Sequence, residues 1–268
     1  MSMPTADSSH RSQFQDVAPW YDELMADVPY DMWMRYVLSL YQMHGPLSPP
    51  RSPLRVLDVA CGTGAMALRF ARMGCSVLGV DISEPMIRVA TARARQMGLS
   101  VGFRAEDAAR MDLSGRQFDL AVSLFDSLNY IIEPERLQAA MHHVSDALVS
   151  GGVFVFDMNT TYALRERLFD QEDQRSTSPI RYRWRSRFDE TTRLCTIRME
   201  FWTGDESGAA PQFVEEHMQR AYETAEIEAM LTNAGFGGVF VYHAFTFDPC
   251  SETTDRAYYV AVKEPKAE

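Results

Sequence analysis

The residues best placed to do chemistry are a carboxylate and two glycines at fixed spacing: Asp58, Gly62 and Gly64 within LRVLDVACGTGAMALRFARM (54–73). Leu54, Val56, Leu57 and Val59 form an apolar run around Asp58. Small residues follow, from Ala60 through Cys61 and Thr63 to Gly64, and then Met66, Ala67, Phe70 and Ala71 recur at helix spacing before Gly74. This is strand, tight turn, helix. The backbone N–H groups at such a helix start have no partner within the helix and are available to a ligand, and small residues let it approach the main chain. A dinucleotide fingerprint, G-x-G-x-x-G, would fall on Ala60, Gly62 and Ala65, which is a poor match. Asp58 argues further against it. A carboxylate at the strand end opposes a pyrophosphate and favours a ligand that carries positive charge.

Asp81 ends the next apolar run, Ser76 to Val80. An acid at that place can accept both hydroxyls of a ribose; the alternative is an acid favoured by the start of the following helix. The D-x-x-x-G-x-G pattern of Asp58, Gly62 and Gly64 resembles motif I of the class I S-adenosylmethionine-dependent methyltransferases, whose cofactor carries both an ammonium and a sulfonium. The resemblance spans about residues 14–262. It implies an α/β fold: a Rossmann-like, seven-stranded, mostly parallel sheet with an N-terminal helical cap and a small antiparallel β insert. It also implies roles. Asp58, Ala60, Gly62, Gly64 and Asp81 would hold the cofactor. Asp107, after the third strand, would take the adenine amino group beside the backbone N–H of Ala108. Met86 would lie against the adenine, or is simply core. Ser123 and Leu124, with Phe125, would face the methionine end, and Tyr21, Tyr30 and Trp33 would reach into the cleft or serve as core. Asp126, Asn129 and Tyr130 are the polar groups of the reaction end. SLFDSLNY (123–130) lacks the N-P-P-[YF] or D-P-P-Y motif of methyltransferases acting on nucleobase and glutamine amides, which argues against a DNA, RNA or release-factor substrate.

The elements that must position these groups follow from periodicity. Short helices are expected over 14–24 and 30–41, and a proline-rich linker over 45–53. Strands are expected at 76–80, 101–104, 118–124 and 153–158, with helices at 84–97, 135–148 and 162–169. From residue 180 the pattern changes. IRYRWRSRF (180–188) alternates strictly, which predicts a strand. With 193–203 and 212–222 it predicts a three-stranded antiparallel insert. A helix over 224–233 and two edge strands, 239–247 and 257–262, complete the chain. The division expected is a mobile tail at 1–12, cap and linker at 13–53, a cofactor domain at 54–175 and 223–264, and a substrate lid at 176–222.

Within the insert, His217 is the candidate base or substrate anchor, because histidine accepts a proton near neutral pH. Tyr222 lies on the opposite strand face. Arg181, Arg183, Arg185 and Arg187 share one face of their strand. They either bind an anionic substrate or form a solvated face paired with Glu200, Glu215 or Glu216.

The 268 residues suffice for one large α/β domain with additions or for two small ones. A net charge of −11 argues against nucleic acid as the main partner. The four cysteines are scattered, with no C-x-x-C pair, which fits a reducing compartment and no metal site. No apolar run suggests a membrane span. A cytoplasmic monomer or homodimer is expected. The expected activity is methyl transfer from S-adenosylmethionine, leaving S-adenosylhomocysteine, to nitrogen or oxygen of a small soluble molecule. The alternatives are a methyltransferase of tRNA or a carrier-bound acyl chain, and a non-catalytic protein that binds the cofactor.

Overall fold

A computed structural model describes residues 13–14, 16–46, 53–172, 180–203 and 210–264. The expected tail, 1–12, and most of the expected linker lie outside the described residues. A 3-10 turn (Ala18–Trp20) runs into α1 (Tyr21–Leu24), where one longer helix is predicted from sequence; then comes α2 (Tyr30–His44). Next are β1 (Arg55–Val59), α3 (Ala65–Arg72), β2 (Ser76–Asp81), α4 (Glu84–Gln96), β3 (Gly102–Ala105) and β4 (Phe118–Ser123). They are followed by α5 (Pro134–Ala147), β5 (Leu148–Asn159) and α6 (Thr161–Arg165). Four strands then form a unit of their own: β6 (Gln171–Glu172), β7 (Ile180–Asp189), β8 (Leu194–Thr203) and β9 (Phe213–Arg220). α7 (Thr224–Asn233), β10 (Phe236–His243) and β11 (Arg256–Lys263) close the chain.

The main sheet has seven strands in the order β3-β2-β1-β4-β5-β11-β10. Its first five strands are parallel neighbours, and β11 pairs antiparallel with both β5 and β10. β4 is buried at every position, as a strand with helices on both faces must be. One face packs against Leu137 and Met141 of α5 and Ile227 and Leu231 of α7, the other against Val37 and Leu40 of α2 and Ala67 and Phe70 of α3. α4 starts at Ser83, whose hydroxyl accepts the Met86 N–H at 3.4 Å.

The smaller sheet is antiparallel in the order β6-β7-β8-β9. It has one strand more than the sequence predicts, because a two-residue strand such as Gln171–Glu172 carries no readable pattern. Register fixes its faces. Trp184 pairs with Met199, Met199 with Glu215, and Ile197 with His217, so these side chains share the inner face. The arginines of β7 take the other face, where Arg183 meets Glu200 at 2.7 Å and Arg185 meets Glu172 at 3.2 Å. Glu215 therefore lies on the face opposite the arginines. The strand predicted to begin at Val153 begins instead at Leu148. α6 ends early, with Arg167 at φ 56°, and β10 ends at His243, before a turn with Phe245 at φ 61°.

Candidate functional site

The turn after β1 holds Ala60, Gly62 and Gly64 at φ 55°, 54° and 78°. At Gly64 a Cβ would come within 2.8 Å of the Phe103 ring, so both φ and space call for glycine. Asp58 stands at the top of β1, 3% exposed, and its Oδ2 has no hydrogen-bond partner. It borders a small cavity of about 40 Å³ together with Tyr21, Tyr30, Ala60, Gly62 and Leu124. Burial pushes its carboxyl up to about 7, with a smaller contribution from Asp81. Asp81, at the end of β2, accepts the Gly62 N–H at 2.8 Å and the Ser83 N–H at 2.8 Å. Burial raises its pKa while these two hydrogen bonds oppose the rise.

A larger cavity of about 990 Å³ opens beside it. One end is lined by Ala60, Gly62, Asp81, Met86, Asp107 and Ala108. Asp107 accepts the Ala109 N–H at 3.0 Å and a guanidinium N–H of Arg136 at 2.7 Å. The other end reaches Asp126, Tyr130, Asn159, Gln219 and Arg256. Phe14, Val17, Tyr21, Leu24 and Val28 roof it.

The loop after β4 is unusual in that Phe125 and Asp126 both have positive φ, 65° and 50°. Their successive N–H groups donate to the buried carboxylate of Asp157 at 2.7 and 3.0 Å. This repays the unfavourable backbone geometry. Arg256 pairs with Asp157 and, at 2.9 Å, with Asp126. Asp126 also accepts the Gln219 amide N–H at 2.5 Å, which turns the Gln219 carbonyl oxygen toward the Asn159 amide at 3.0 Å. Trp33 stacks on Phe125 at 4.1 Å, beneath the Arg256 guanidinium.

Below the cavity wall a second buried group is anchored by Glu215. Its carboxylate accepts the backbone N–H groups of Phe14, Asp16 and Val17 at 3.1, 2.9 and 3.0 Å. It also accepts from His217 Nε2 at 2.7 Å. Burial opposes ionisation, but His217 and these N–H groups outweigh it and hold the Glu215 pKa below the usual value. An ionised Glu215 places the imidazole proton on Nε2. Nδ1 is left to accept from the Tyr130 hydroxyl, 3.4 Å away. Burial raises the Tyr130 pKa, so that hydroxyl rests protonated.

Of the residues singled out from sequence, Tyr21, Trp33, Ala60, Gly62, Asp81, Met86, Asp107, Ala108 and Tyr130 line the larger cavity. Asp58 and Leu124 border the smaller one. Five of these candidates, Gly64, Ser123, Asn129, His217 and Tyr222, line neither. Gly64 sits behind the turn. Ser123 is buried, with its hydroxyl unpartnered. Asn129 is buried and committed to main chain: its amide donates to the carbonyls of Asn159 and Arg220 and its oxygen accepts the Asn159 N–H. His217 is fully buried behind Phe14, ring to ring at 4.4 Å, and its hydrogen bond toward the cavity is to Tyr130. Tyr222 donates to the Ile131 carbonyl at 2.6 Å and belongs to the core. Asp157, Asn159, Glu215, Gln219 and Arg256 were not singled out as site residues. The signal for Asp157 was an acid inside the apolar run VFVFDM; Arg256 had none.

A methyltransferase domain family matches residues 56–152. A provisionally named methyltransferase of Geobacillus sp. (strain WCH70) is 30% identical over 250 residues, covering 93% of this chain and 99% of that one. The chain belongs to the class I S-adenosylmethionine-dependent methyltransferases. A solved S-adenosylmethionine-dependent methyltransferase from Clostridium acetobutylicum ATCC 824 matches this methyltransferase with a TM-score of 0.78 and 27% identity, over 93% of this chain and 98% of that one. The S-adenosylmethionine-bound amino pentose methyltransferase CalS10 of Micromonospora echinaspora shares the fold at a TM-score of 0.72 and 23% identity, covering 93% and 97% of the two chains.

The methyltransferase's own residues fit its cofactor. The unpartnered, buried Oδ2 of Asp58 is the group an ammonium requires, and the turn of small residues beside Asp81 leaves the main chain open to close approach. Among the described residues, no helix is long and apolar enough to cross a membrane.

Proposed function

We propose that this methyltransferase acts on nitrogen or oxygen of a small soluble molecule. The observation that carries this reading is the cavity of about 990 Å³, with the motif I turn at one end and the reaction end beneath Phe14, Val17, Tyr21, Leu24 and Val28 and the smaller sheet. A macromolecular acceptor would have to enter under that roof. The small-molecule reading also agrees with the name of the amino pentose methyltransferase that shares the fold. On this reading residues 13–53 act as a cap, 54–175 and 223–264 hold the cofactor, and 176–222 cover the acceptor.

Asp58 would hold the cofactor's ammonium, Asp81 its ribose hydroxyls, and Asp107 with the Ala108 N–H its adenine against Met86. When bound, the cofactor supplies a methyl group already activated on a sulfonium. The chain's part is then to orient the acceptor in line and exclude water. Where the acceptor must lose a proton, the Tyr130 oxygen can take it as the Tyr130 hydroxyl proton passes to His217 Nδ1. His217 is then a positioning residue held by Glu215, and Tyr130 is the group that meets the acceptor.

The test is mass spectrometry of a lysate supplied with methyl-labelled cofactor and this enzyme. Label is expected in small metabolites. Label confined to tRNA or protein would overturn the reading, and no label in any fraction would favour a non-catalytic protein. With the acceptor identified, His217→Ala should lower kcat by roughly 10²–10⁴-fold and leave S-adenosylhomocysteine affinity unchanged. A variant with full activity between pH 6 and 9 would remove the relay.

A further inference from the structure

We propose that the acceptor is an apolar, ring-based molecule bearing no anionic group, methylated at a hydroxyl or amine while its body lies against the inner face of the smaller sheet. This rests on the small-molecule reading and adds the substrate class.

The far wall of the cavity is built by strand alternation. Tyr182 and Trp184 of β7 and Ile197, Met199 and Phe201 of β8 all face inward, while the charged residues between them face out. Phe14, Val17 and Leu24 meet this wall from the roof. A polyhydroxylated acceptor placed here would give up its hydrogen bonds to water against a surface that returns few. A flat ring would instead gain offset or edge-on contact with Trp184 and Tyr182, whose rings lie 5.1 Å apart.

Charge excludes a second class. Two basic residues line the cavity among the described residues, Arg136 and Arg256, and both are already held by carboxylates: Arg136 by Asp107 and Arg256 by Asp126 and Asp157. Glu172 and Asp126 also line the cavity, the first paired with Arg185 and the second with Arg256, so neither guanidinium is left over for an anion. A phosphate or carboxylate would therefore meet acids and guanidinium groups committed elsewhere. The arginines of β7 do not offset this, because register turns them to the outer face, where Glu200 holds Arg183. What the apolar end offers a polar substituent is specific: the Trp184 indole N–H, buried and without a protein partner. The Tyr130 hydroxyl stands at the boundary with the polar end.

The test is titration calorimetry of the full chain with four probes, naphthalen-2-ol, tryptamine, naphthalene-2-carboxylate and glucosamine, each in saturating S-adenosylhomocysteine. The first two are expected to bind at least about tenfold tighter than the carboxylate, and glucosamine to give no heat. Trp184→Ala should weaken naphthalen-2-ol by about tenfold or more, with Trp184→Phe recovering part of the loss. Both variants should bind S-adenosylhomocysteine as the parent does, a reading that also reports that they are folded. Carboxylate or glucosamine binding as tight as naphthalen-2-ol, or both Trp184 variants behaving as the parent, would overturn the substrate class. Neither outcome touches the small-molecule reading, which stands or falls on where the methyl label goes.

Discussion

Asp58 is a carboxyl that the fold makes difficult to ionise, whereas the part proposed for it, partner to the cofactor's ammonium, needs it ionised. Burial pushes it up to about 7, above the ordinary value. The sign follows from linkage. The folded state holds this proton more tightly than the unfolded chain, so the contribution of Asp58 to stability is complete at low pH. It is lost as pH rises through about 7. A bound ammonium reverses the preference. S-adenosylhomocysteine affinity should therefore rise from pH 5.5 to 7.5, by up to about tenfold per pH unit below 7. Asp58→Asn should bind weakly and flatten the profile; calorimetry across that window checks both. A flat profile in the parent would mean that the ammonium lies elsewhere. Asp58 was legible in the sequence because its meaning lies in a short spacing to Gly62 and Gly64. Arg256 was not, because its partners Asp126 and Asp157 are far off in the chain and meet it only when β11 enters beside β5, setting Arg256 opposite Asn159. His217 was legible as a residue type, but its burial behind Phe14 was not, because Phe14 lies about 200 residues away in the chain.

The turn between β1 and α3 shows which glycine the element depends on. At Gly62 a Cβ would meet nothing within 4 Å, whereas at Gly64 it would press on Phe103 and on the Ala90 Cβ, 3.1 Å away. Gly64→Ala adds a left-handed residue to a closed space and should lower Tm by about 2–8 °C, with a parallel loss of cofactor affinity. Gly62→Ala should perturb Tm less. Differential scanning calorimetry ranks the two, and equal effects would show that φ alone matters. In the smaller sheet, period-two alternation made β7, β8 and β9 readable and sorted the arginines from the aromatics. It did not say which face was inner, since that is set by the roof and the main sheet. With Arg183 about 40% exposed beside Glu200, Arg183→Ala should cost only about 0–1 kcal/mol and leave kcat/KM within about threefold. Denaturant titration and steady-state kinetics measure these. Loss of turnover with normal stability would return the stripe to the active site.

At the scale of the whole molecule, the five parallel strands were readable because each βα unit announces itself locally, while their order in the sheet was not. What joins the two sheets was not readable. Asn129, Gln219 and Glu215 each bind main chain or side chains from another part of the sequence, and no spacing records that. Glu215 is the strongest case. One carboxylate holds three N–H groups of the roof with the imidazole behind Tyr130, so the roof and the reaction end are tied at a single point.

That tie is expected to set a residence time. On the proposed reading cofactor and acceptor lie beneath this roof, and whatever leaves past Phe14, Asp16 and Val17 would wait for Glu215 to release them. Each hydrogen bond to a charged acceptor contributes about 1.5–3 kcal/mol, enough for escape rather than chemistry to govern turnover. The parent enzyme should then show a rapid first round of methylation followed by a slower steady rate. Glu215→Gln, which cannot accept from all three N–H groups, should raise the S-adenosylhomocysteine dissociation rate at least about tenfold, seen in stopped-flow through intrinsic tryptophan fluorescence. His217→Asn leaves those N–H groups with their carboxylate and should leave that rate unchanged. If the two variants release product equally fast, Glu215 does not time the exit.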